Sequence, residues 1–281
     1  MTRPPCRAAE QRMPFIDTHC HLDAPAYADL AAVCRQSEQA GVAVIVAAGT
    51  GLVSNRRILA LQRQQPARVW AALGLHPERP DASWDEVEAV LDQLRTHRDR
   101  VMALGEVGLP HYALSDGSMT AEQARRHEAF LHALVKGAAA LGLPVVLHAP
   151  HAAADKALAI VRRHEPTGAV FHWHKGSPET TAAICEAGYF VSVTPEVCCR
   201  ERDRDLVRTV PLRNLLLESD GPWPYGGEFA GQPTTPAVVA RLAAEVARLK
   251  GVALDEVREV AWQNAQRLFG RGVRPRICRS D

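Results

Sequence analysis

The stretch Phe15-Ile16-Asp17-Thr18-His19-Cys20-His21-Leu22 has two histidines, separated by one residue, directly after an apolar pair. This pattern predicts a β-strand, in which neighbouring side chains point to opposite faces, so that His19 and His21 share one face. Two imidazoles about 6–7 Å apart on one face can converge on a single cation. The stretch therefore indicates a metal site, and a strand with two histidines but no metal is the alternative.

The overall composition is that of a globular protein, with 47% hydrophobic and 23% charged residues among 281. This length suits one large α/β barrel or two ordinary domains. The formal net charge is only +1, whereas proteins that bind nucleic acid through a broad basic surface are usually more basic. Any phosphate group must therefore be bound locally, by metal ions or by a few arginines.

The cysteines and the N-terminal residues bear on the cellular compartment. Seven cysteines, an odd number without a Cys-x-x-Cys pair, favour a reducing cytosol over a disulfide framework. Residues 1–13 contain three arginines but no apolar segment typical of a signal peptide, and no apolar run reaches the length of a membrane span. We therefore expect a cytoplasmic protein that does not cross a membrane.

Strand and helix patterns alternate along the chain. The β-branched run at 42–47 is typical of a strand buried on both faces, and Ser83 with Glu86 predicts a capping box at a helix start. After the first strand we expect strands at 42–47, 69–73, 101–104, 145–147, 169–171, 189–193 and 215–218, and helices at 26–40, 53–65, 83–97, 120–141, 152–164, 178–187, 203–209, 236–250 and 254–268. Such alternation predicts a (β/α)₈ TIM barrel, with a doubly wound open sheet as the alternative. We expect a single domain at 14–270, flanked by tails at 1–13 and 271–281.

Six potential metal ligands lie at or just past the ends of predicted strands one, four, five, six and eight. They are His19, His21, Glu106, His148, His172 and Asp220. Only a closed barrel brings five such strand ends to one mouth, which favours the barrel over the open sheet. Imidazole and carboxylate ligands together suit Zn, Mn, Fe or Ni, and a carboxylate can bridge two cations. A single histidine is more often structural, but six residues at corresponding strand ends predict a metal centre.

Six short motifs occur in order along the chain. They are Asp-Thr-His-Cys-His-Leu at 17–22, Gly-Leu-His-Pro at 74–77, Gly-Glu-Val-Gly-Leu at 105–109, Leu-His-Ala at 147–149, Phe-His through Gly at 171–176, and Glu-Ser-Asp-Gly-Pro at 218–222. Over about residues 14–269 this set resembles the TatD family of metal-dependent deoxyribonucleases, a branch of the amidohydrolase-like barrels. The resemblance implies a hydrolase with two divalent metal ions per subunit (Mg²⁺, Mn²⁺ or Zn²⁺) that cleaves DNA as an exonuclease. Single-stranded DNA or DNA with free ends is the implied substrate.

The same resemblance implies a role for each candidate ligand. The ligands of one cation would be His19, His21, Glu106 and Asp220, and those of the other would be Glu106, His148 and His172. Glu106 would therefore bridge the two cations, and Asp220 would also position or deprotonate the attacking water.

The sequence departs from the family pattern at four places. Pro110 follows Gly-Leu where the family usually has aspartate, and residues 172–176 read His-Trp-His-Lys-Gly where the usual segment begins His-Cys-Phe. Residues 223–227 read Trp-Pro-Tyr-Gly-Gly, and the usual Asn-Glu-Pro is Thr-Thr-Pro at 234–236. None of these changes removes a ligand. We expect them to affect substrate preference and, at Pro110, a contact to a ligand.

Three further residues are candidates for substrate binding. His76 closes the third predicted strand at the same mouth and would contact a phosphate or a metal-bound water, with a structural His-Pro turn as an equal alternative. His174 shares the face of His172 if the chain is extended there, although a plain loop residue is the more ordinary interpretation. Trp223 lies in a Pro/Gly-rich loop, where it would stack on a base or pack over the barrel rim.

Two other functions fit part of this pattern. The first is an amidohydrolase that cleaves an amide, lactone or ester, but many such enzymes bridge their metals with a modified lysine on strand four, where this chain has Glu106. The second is a binding protein without catalysis, which leaves a complete cluster of buried charges unexplained.

Overall fold

Eight parallel strands form one sheet, in which every strand pairs with the next strand along the chain. The computed structural model describes residues 13–270. The strands are β1 (Phe15–Cys20), β2 (Val42–Ala48), β3 (Val69–Leu73), β4 (Val101–Gly108), β5 (Val145–His148), β6 (Ala169–Phe171), β7 (Phe190–Val193) and β8 (Leu215–Leu217). The largest difference from the sequence-based prediction is in β4, which continues through Glu106 although the apolar pattern predicts an end at Leu104.

Within residues 13–270, ten α-helices accompany these strands. They are α1 (Leu30–Gln39), α2 (Leu52–Gln64), α3 (Trp84–Thr96), α4 (Tyr112–Ser115), α5 (Ala121–Ala140), α6 (Ala153–His164), α7 (Pro178–Glu186), α8 (Glu201–Thr209), α9 (Val239–Lys250) and α10 (Leu254–Phe269). The predicted capping box of α3 is present, because Ser83 and Glu86 each accept a hydrogen bond from the other's backbone amide. The short α4 is absent from the prediction, and α9 begins at Val239 because Pro236–Val238 forms a 3₁₀ turn.

Backbone and side-chain hydrogen bonds join the first strand to the last. The amide of Asp220 donates to the carbonyl of His19 at 3.0 Å, and the amide of His21 donates to the carbonyl of Gly221 at 2.7 Å. The hydroxyl of Thr18 donates to the carbonyl of Leu217 at 3.0 Å. These bonds bring the two ends of the sheet together, so the barrel is confirmed and the doubly wound open sheet is wrong.

Alternate strand residues divide the core into two layers. One apolar cluster lies between the strands and the surrounding helices, while a second, which includes Val146, Val170 and Trp262 of α10, fills the barrel interior. Two residues further along their strands, these inward positions become polar, with His148 after Val146 and His172 after Val170. The two-residue period of a strand therefore places these imidazoles at the barrel mouth.

The expected tails at 1–13 and 271–281 lie outside the described residues, with one exception. Met13, expected at the end of the N-terminal tail, is partly buried and packs against the inner apolar cluster. Within residues 13–270, no helix combines the length and the apolar character that a membrane crossing requires.

Candidate metal centre

The C-terminal ends of the strands surround a cavity of about 1330 Å³. Its lining includes five of the six predicted ligands, which are His21, Glu106, His148, His172 and Asp220. The sixth, His19, is fully buried beside them. The structure thus brings all six candidate ligands together at one mouth, as a closed barrel predicts.

Four side chains form a compact first cluster of ligand atoms. Nε2 of His19 lies 3.4 Å from Nε2 of His21. Each of these nitrogens lies 3.3–3.5 Å from Oε2 of Glu106 and from Oδ1 of Asp220. These five distances of 3.3–3.5 Å are the spacing expected for donor atoms that lie about 2.1 Å from one cation, which is the length of a zinc bond to nitrogen or oxygen.

The other carboxylate oxygen of Glu106 faces a second cluster. Oε1 of Glu106 lies 2.7 Å from Nε2 of His172, 2.9 Å from Nδ1 of His148 and 3.3 Å from Nε2 of His76. Nδ1 of His148 and Nε2 of His172 are 3.4 Å apart. Glu106 therefore divides its two oxygens between two groups of histidines, which is the arrangement of a carboxylate that bridges two cations.

The hydrogen bonds of two ligands fix which ring nitrogen is protonated. Nδ1 of His21 lies 2.9 Å from the carbonyl of Ala48, and Nε2 of His148 lies 3.1 Å from Oε1 of Glu78. Because these oxygens only accept, the contacting nitrogens hold the protons, and in the neutral rings the opposite nitrogens direct their lone pairs at Glu106. Lone pairs that face a carboxylate repel it unless positive charge lies between them.

Two carboxylate oxygens in the centre are buried without a partner. Oε2 of Glu106 and Oδ1 of Asp220 accept no hydrogen bond from residues 13–270. Buried polar groups almost always have a partner, so these atoms indicate a ligand of opposite charge. A divalent cation in each cluster fits the donor set, because imidazole and carboxylate are suitable metal ligands.

Mutual charge stabilisation shifts the pKa values in the centre. Burial opposes ionisation of Glu106, but the neighbouring imidazoles, foremost those of His76 and His172, outweigh burial and hold its pKa well below the usual range. The pKa of Asp220 is also lowered, because the neighbouring imidazole of His21 outweighs its burial. Burial opposes protonation of His172, yet Glu106 raises the pKa of that imidazole well above its usual value. The centre therefore keeps two buried carboxylates ionised, and these need positive partners.

Asp17 holds the end of β1 against the segment after β8. Its side chain is fully buried and accepts hydrogen bonds from the amide of His19 at 3.2 Å and from the amide and hydroxyl of Ser219 at 3.0 and 2.6 Å. The next residue, Asp220, has a φ of 45°, in the left-handed region. Such a backbone is unfavourable for a side chain other than glycine, although aspartate tolerates it best. The bonds of Asp17 to Ser219 help to keep Asp220 in this conformation, with its carboxylate directed at the two histidines.

Glu218 supports His172 from below the cluster. Its carboxylate accepts hydrogen bonds from the amide of Trp173 at 2.7 Å and from the hydroxyl of Ser192 at 2.6 Å. Oε1 of Glu218 lies 3.4 Å from Nδ1 of His172. This contact is electrostatic rather than a hydrogen bond, because Nδ1 of His172 has no hydrogen-bond partner within residues 13–270.

Two motif glycines allow the close backbone approach around Glu106. A Cβ atom on Gly74 would lie 2.2 Å from the carbonyl oxygen of Glu106, and one on Gly108 would lie 1.8 Å from the carbonyl oxygen of His148. Neither space admits a side chain. These glycines are therefore required by packing between neighbouring strands rather than by chemistry.

His76, one of the three predicted substrate-binding residues, lines the cavity beside the second cluster. Its Nδ1 accepts a hydrogen bond from the amide of Glu78 at 3.3 Å. In the neutral ring the proton is therefore on Nε2, the nitrogen that faces Glu106. Burial lowers the pKa of His76, which favours the neutral ring. His76 is thus prepared to donate a hydrogen bond into the cavity.

The expectation that His174 shares the face of His172 is wrong. β6 ends at Phe171, and Trp173 between the two histidines has a φ of 40°, so the chain is not extended there. His174 is buried and its Nε2 lies 2.9 Å from the hydroxyl of Thr181. His174 is absent from the cavity lining formed by residues 13–270.

Aromatic residues and one lysine form the rim of the cavity. Trp223, the third predicted substrate-binding residue, is 54% exposed and lies edge-on to Trp173, with ring centroids 5.6 Å apart. Nζ of Lys175 lies 3.7 Å from the ring centroid of Trp173 and donates a hydrogen bond to the hydroxyl of Tyr112 at 3.0 Å. The rim therefore presents flat apolar faces next to a positive charge.

Three residues of this site, Glu78, Lys175 and Glu218, are not among those predicted from the sequence. Glu218 had a usable signal, because it lies two residues after the inward-facing Leu216 and therefore points into the barrel. No strand period predicts the direction of the Glu78 or Lys175 side chain. Both lie in loops after strands, where side-chain direction depends on the loop conformation.

Comparisons with known proteins agree with this geometry. The family model described as TatD related DNase matches residues 16–270. The chain is 33% identical over 265 residues to the uncharacterized metal-dependent hydrolase YjjV of Escherichia coli, covering 91% of this chain and 97% of that protein. It is 29% identical over 265 residues to human deoxyribonuclease TATDN3, covering 91% of this chain and 94% of that protein.

A solved structure gives the same result. The crystal structure of YjjV from Escherichia coli matches this fold with a TM-score of 0.81 at 32% identity, covering 92% of this chain and 98% of that one. The family match, the relative above 30% identity and the shared fold each extend over most of the chain. The chain therefore belongs to the TatD family of metal-dependent hydrolases.

Proposed function

We propose that this protein is a two-metal deoxyribonuclease that cleaves phosphodiester bonds in DNA from a free end, with single-stranded DNA as the preferred substrate. The observation that supports this most is the division of the Glu106 carboxylate, with Oε2 facing His19 and His21 and Oε1 facing His148 and His172. Two cations side by side are the usual device for stabilising both the attacking and the leaving oxygen of a phosphodiester. The family membership and the relative named as a deoxyribonuclease support the same substrate.

Glu106 would bind both cations, and every other ligand would bind one. The first cation would be held by His19, His21, Glu106 and Asp220, and the second by Glu106, His148 and His172. When bound, the two ions would supply positive charge at the scissile phosphate and make water a better nucleophile. The imidazole-rich donor set suits Zn²⁺ or Mn²⁺ better than Mg²⁺, which prefers oxygen ligands.

The protein's own residues would move protons and bind the phosphate. Asp220 lines the cavity, and its carboxylate would accept a proton from the attacking water. His76 would donate its Nε2–H to a phosphate oxygen, because its Nδ1 is already occupied by the amide of Glu78. Neither role needs a broad basic surface, which agrees with the net charge of +1.

The rim supports a nucleic-acid substrate. The exposed ring of Trp223 offers a face on which a base can stack, and such stacking is tolerant of base sequence. Lys175 places a positive charge beside Trp173, where a backbone phosphate would pass. The cavity of about 1330 Å³ has room for more than one nucleotide.

The cysteines support a cytoplasmic location. Within residues 13–270, Cys20, Cys34, Cys185, Cys198 and Cys199 are all free thiols. Free thiols are typical of a reducing compartment. We propose that the protein lies in the cytoplasm. Mass spectrometry of cells whose thiols are alkylated at lysis should find these cysteines reduced.

The substrate experiment compares DNA with and without ends. Protein loaded with Mn²⁺ or Zn²⁺ is incubated with end-labelled linear single-stranded DNA, circular single-stranded DNA of the same sequence, and a panel of amides, lactones and carboxylic esters. We expect degradation of the linear DNA from an end, a much slower reaction with the circle, and no reaction after chelation. Equal cleavage of the circle would contradict the requirement for an end. Faster cleavage of a lactone or amide than of DNA would favour an amidohydrolase.

A further inference from the structure

Glu78 occupies an unusual position beside the second cluster. It lies in the loop after β3, and its Oε1 lies 3.1 Å from Nε2 of His148. The amide of His111 donates to the same oxygen at 2.8 Å, and the amide of Ala113 donates to Oε2 at 2.8 Å. One carboxylate therefore contacts a candidate ligand and the start of α4 at the same time.

Pro110, in the segment after β4, cannot make this contact. The residue that follows Gly108-Leu109 is Pro110, whose side chain neither donates nor accepts a hydrogen bond. Within residues 13–270, the hydrogen-bond acceptor at Nε2 of His148 is Glu78.

We propose that Glu78 is the positioning residue of the second metal site, which it serves by holding His148 with Nε2 protonated and Nδ1 free to bind a cation. This inference rests on the proposed function, because it requires that His148 binds a metal. The backbone bonds of Glu78 keep its carboxylate in place, so His148 meets a fixed acceptor rather than a mobile one. A fixed acceptor selects both the tautomer and the ring orientation of a metal-binding histidine.

Loss of Glu78 should weaken the second metal site and leave the first unchanged. Without Glu78, the ring of His148 can rotate or move its proton to Nδ1, which removes a ligand atom from the second cluster only. Loss of such an outer partner typically weakens metal binding about 10–100-fold. The first cluster has its own anchor, the bond of His21 to Ala48, and its affinity is expected to stay unchanged.

The experiment measures zinc binding to the full-length protein by competition with a chromogenic chelator. Reference variants His21→Ala and His148→Ala identify which of the two affinities belongs to which cluster. We expect Glu78→Ala to weaken the second site about 10–100-fold. Glu78→Gln keeps an oxygen that can accept from His148, so it is expected to weaken that site less.

Glu86→Gln is the matched control, because Glu86 also lies near this loop, pairs with Arg79 and caps α3, but has no contact with His148. It is expected to leave both zinc affinities unchanged. Nitrogen NMR of the histidine rings in the zinc-loaded wild type gives a readout that needs no variant. It should show His148 with a proton on Nε2 and zinc on Nδ1.

The outcomes separate this inference from the proposed function. If Glu78→Ala binds zinc at both sites with wild-type affinity, the role of Glu78 is wrong, but the proposed function stands. The same holds if His148 carries its proton on Nδ1 in the zinc-loaded wild type. A wild type that binds fewer than two zinc ions, or zinc affinities unaffected by His148→Ala, overturns the proposed function and this inference together. If Glu78→Ala does not fold, Glu78→Gln and the wild-type spectrum still decide.

Discussion

Asp17 on β1 accepts two hydrogen bonds from Ser219, one from the backbone amide at 3.0 Å and one from the hydroxyl at 2.6 Å. This buried pair joins the first strand to the segment after the last strand, one residue before Asp220. The position of the candidate catalytic carboxylate therefore depends on a polar contact between the two ends of the sheet, as well as on apolar packing.

Asp17→Ala should destabilise the fold and disturb the metal centre together. The change leaves the amides of His19 and Ser219 and the hydroxyl of Ser219 without their buried acceptor, so we expect the free energy of unfolding to fall by about 3 kcal/mol. Ser219→Ala removes only the hydroxyl bond and should cost about 1 kcal/mol. Urea unfolding measures both variants, with metal content determined in the same samples. Equal stability of Asp17→Ala and the wild type would show that the pair does not hold the barrel closed.

Asp220→Asn should separate chemistry from substrate binding. Asparagine keeps the shape and one oxygen, but it loses the negative charge and most of the basicity. We expect turnover to fall about 100-fold or more, the scale of a positioned general base. Affinity for DNA should change much less, because the second cluster keeps its ligands. Single-turnover cleavage and DNA binding are measured on samples of known metal content. A variant with both metals and the wild-type rate would exclude Asp220 as the proton acceptor, and His76 would be tested next.

Trp223→Ala should weaken the binding of DNA without slowing the hydrolysis of a small phosphodiester. Stacking of one base on an aromatic ring contributes about 1–3 kcal/mol, which corresponds to a rise in KM for DNA of about 5–150-fold. A nitrophenyl phosphodiester too short to reach the rim should be cleaved at the wild-type rate. Trp84→Ala is the control, because Trp84 is similarly exposed but lies on α3, outside the cavity lining. Equal losses for both substrates in Trp223→Ala would mean that this residue packs the rim rather than stacking on a base.

Removal of metal ions should lower stability as well as activity. Chelation would remove the cations between the buried carboxylates of Glu106 and Asp220 and the ligand imidazoles, so the folded state would lose the free energy of metal binding. An ion present at 100 times its Kd contributes about 2.7 kcal/mol to stability, and this contribution is lost on removal. Thermal unfolding with and without EDTA measures the loss, and EDTA already saturated with zinc is the control. An unchanged unfolding temperature would indicate that no metal ion bound in these clusters stabilises the fold.

The strand and helix pattern of the sequence was sufficient for the barrel and for most of the metal centre. Continuous apolar runs such as Val42–Ala48 leave little choice but a buried parallel strand, and inward positions follow the two-residue period. This is why His148 and His172 were predicted to lie together although 24 residues separate them. Their direction is set by strand geometry, which the sequence encodes locally.

The loops were much less predictable for a physical reason. The direction of a loop side chain depends on backbone angles that no periodicity reveals, as the left-handed φ at Trp173 shows for His174. Glu78 likewise reaches His148 only because three backbone amides of the α4 segment hold its carboxylate. The structure therefore corrected His174 and added Glu78, and both residues lie beyond strand ends.

The most direct test of the account is the metal content of Glu106→Ala, measured by mass spectrometry of the metals in protein loaded with zinc and desalted. We predict two ions per chain in the wild type and loss of both in the variant, because each oxygen of Glu106 contacts one cluster. Cleavage of linear single-stranded DNA by the same samples should fall to background. Retention of two ions and the wild-type rate by Glu106→Ala would contradict the bridging role and the two-metal centre built on it.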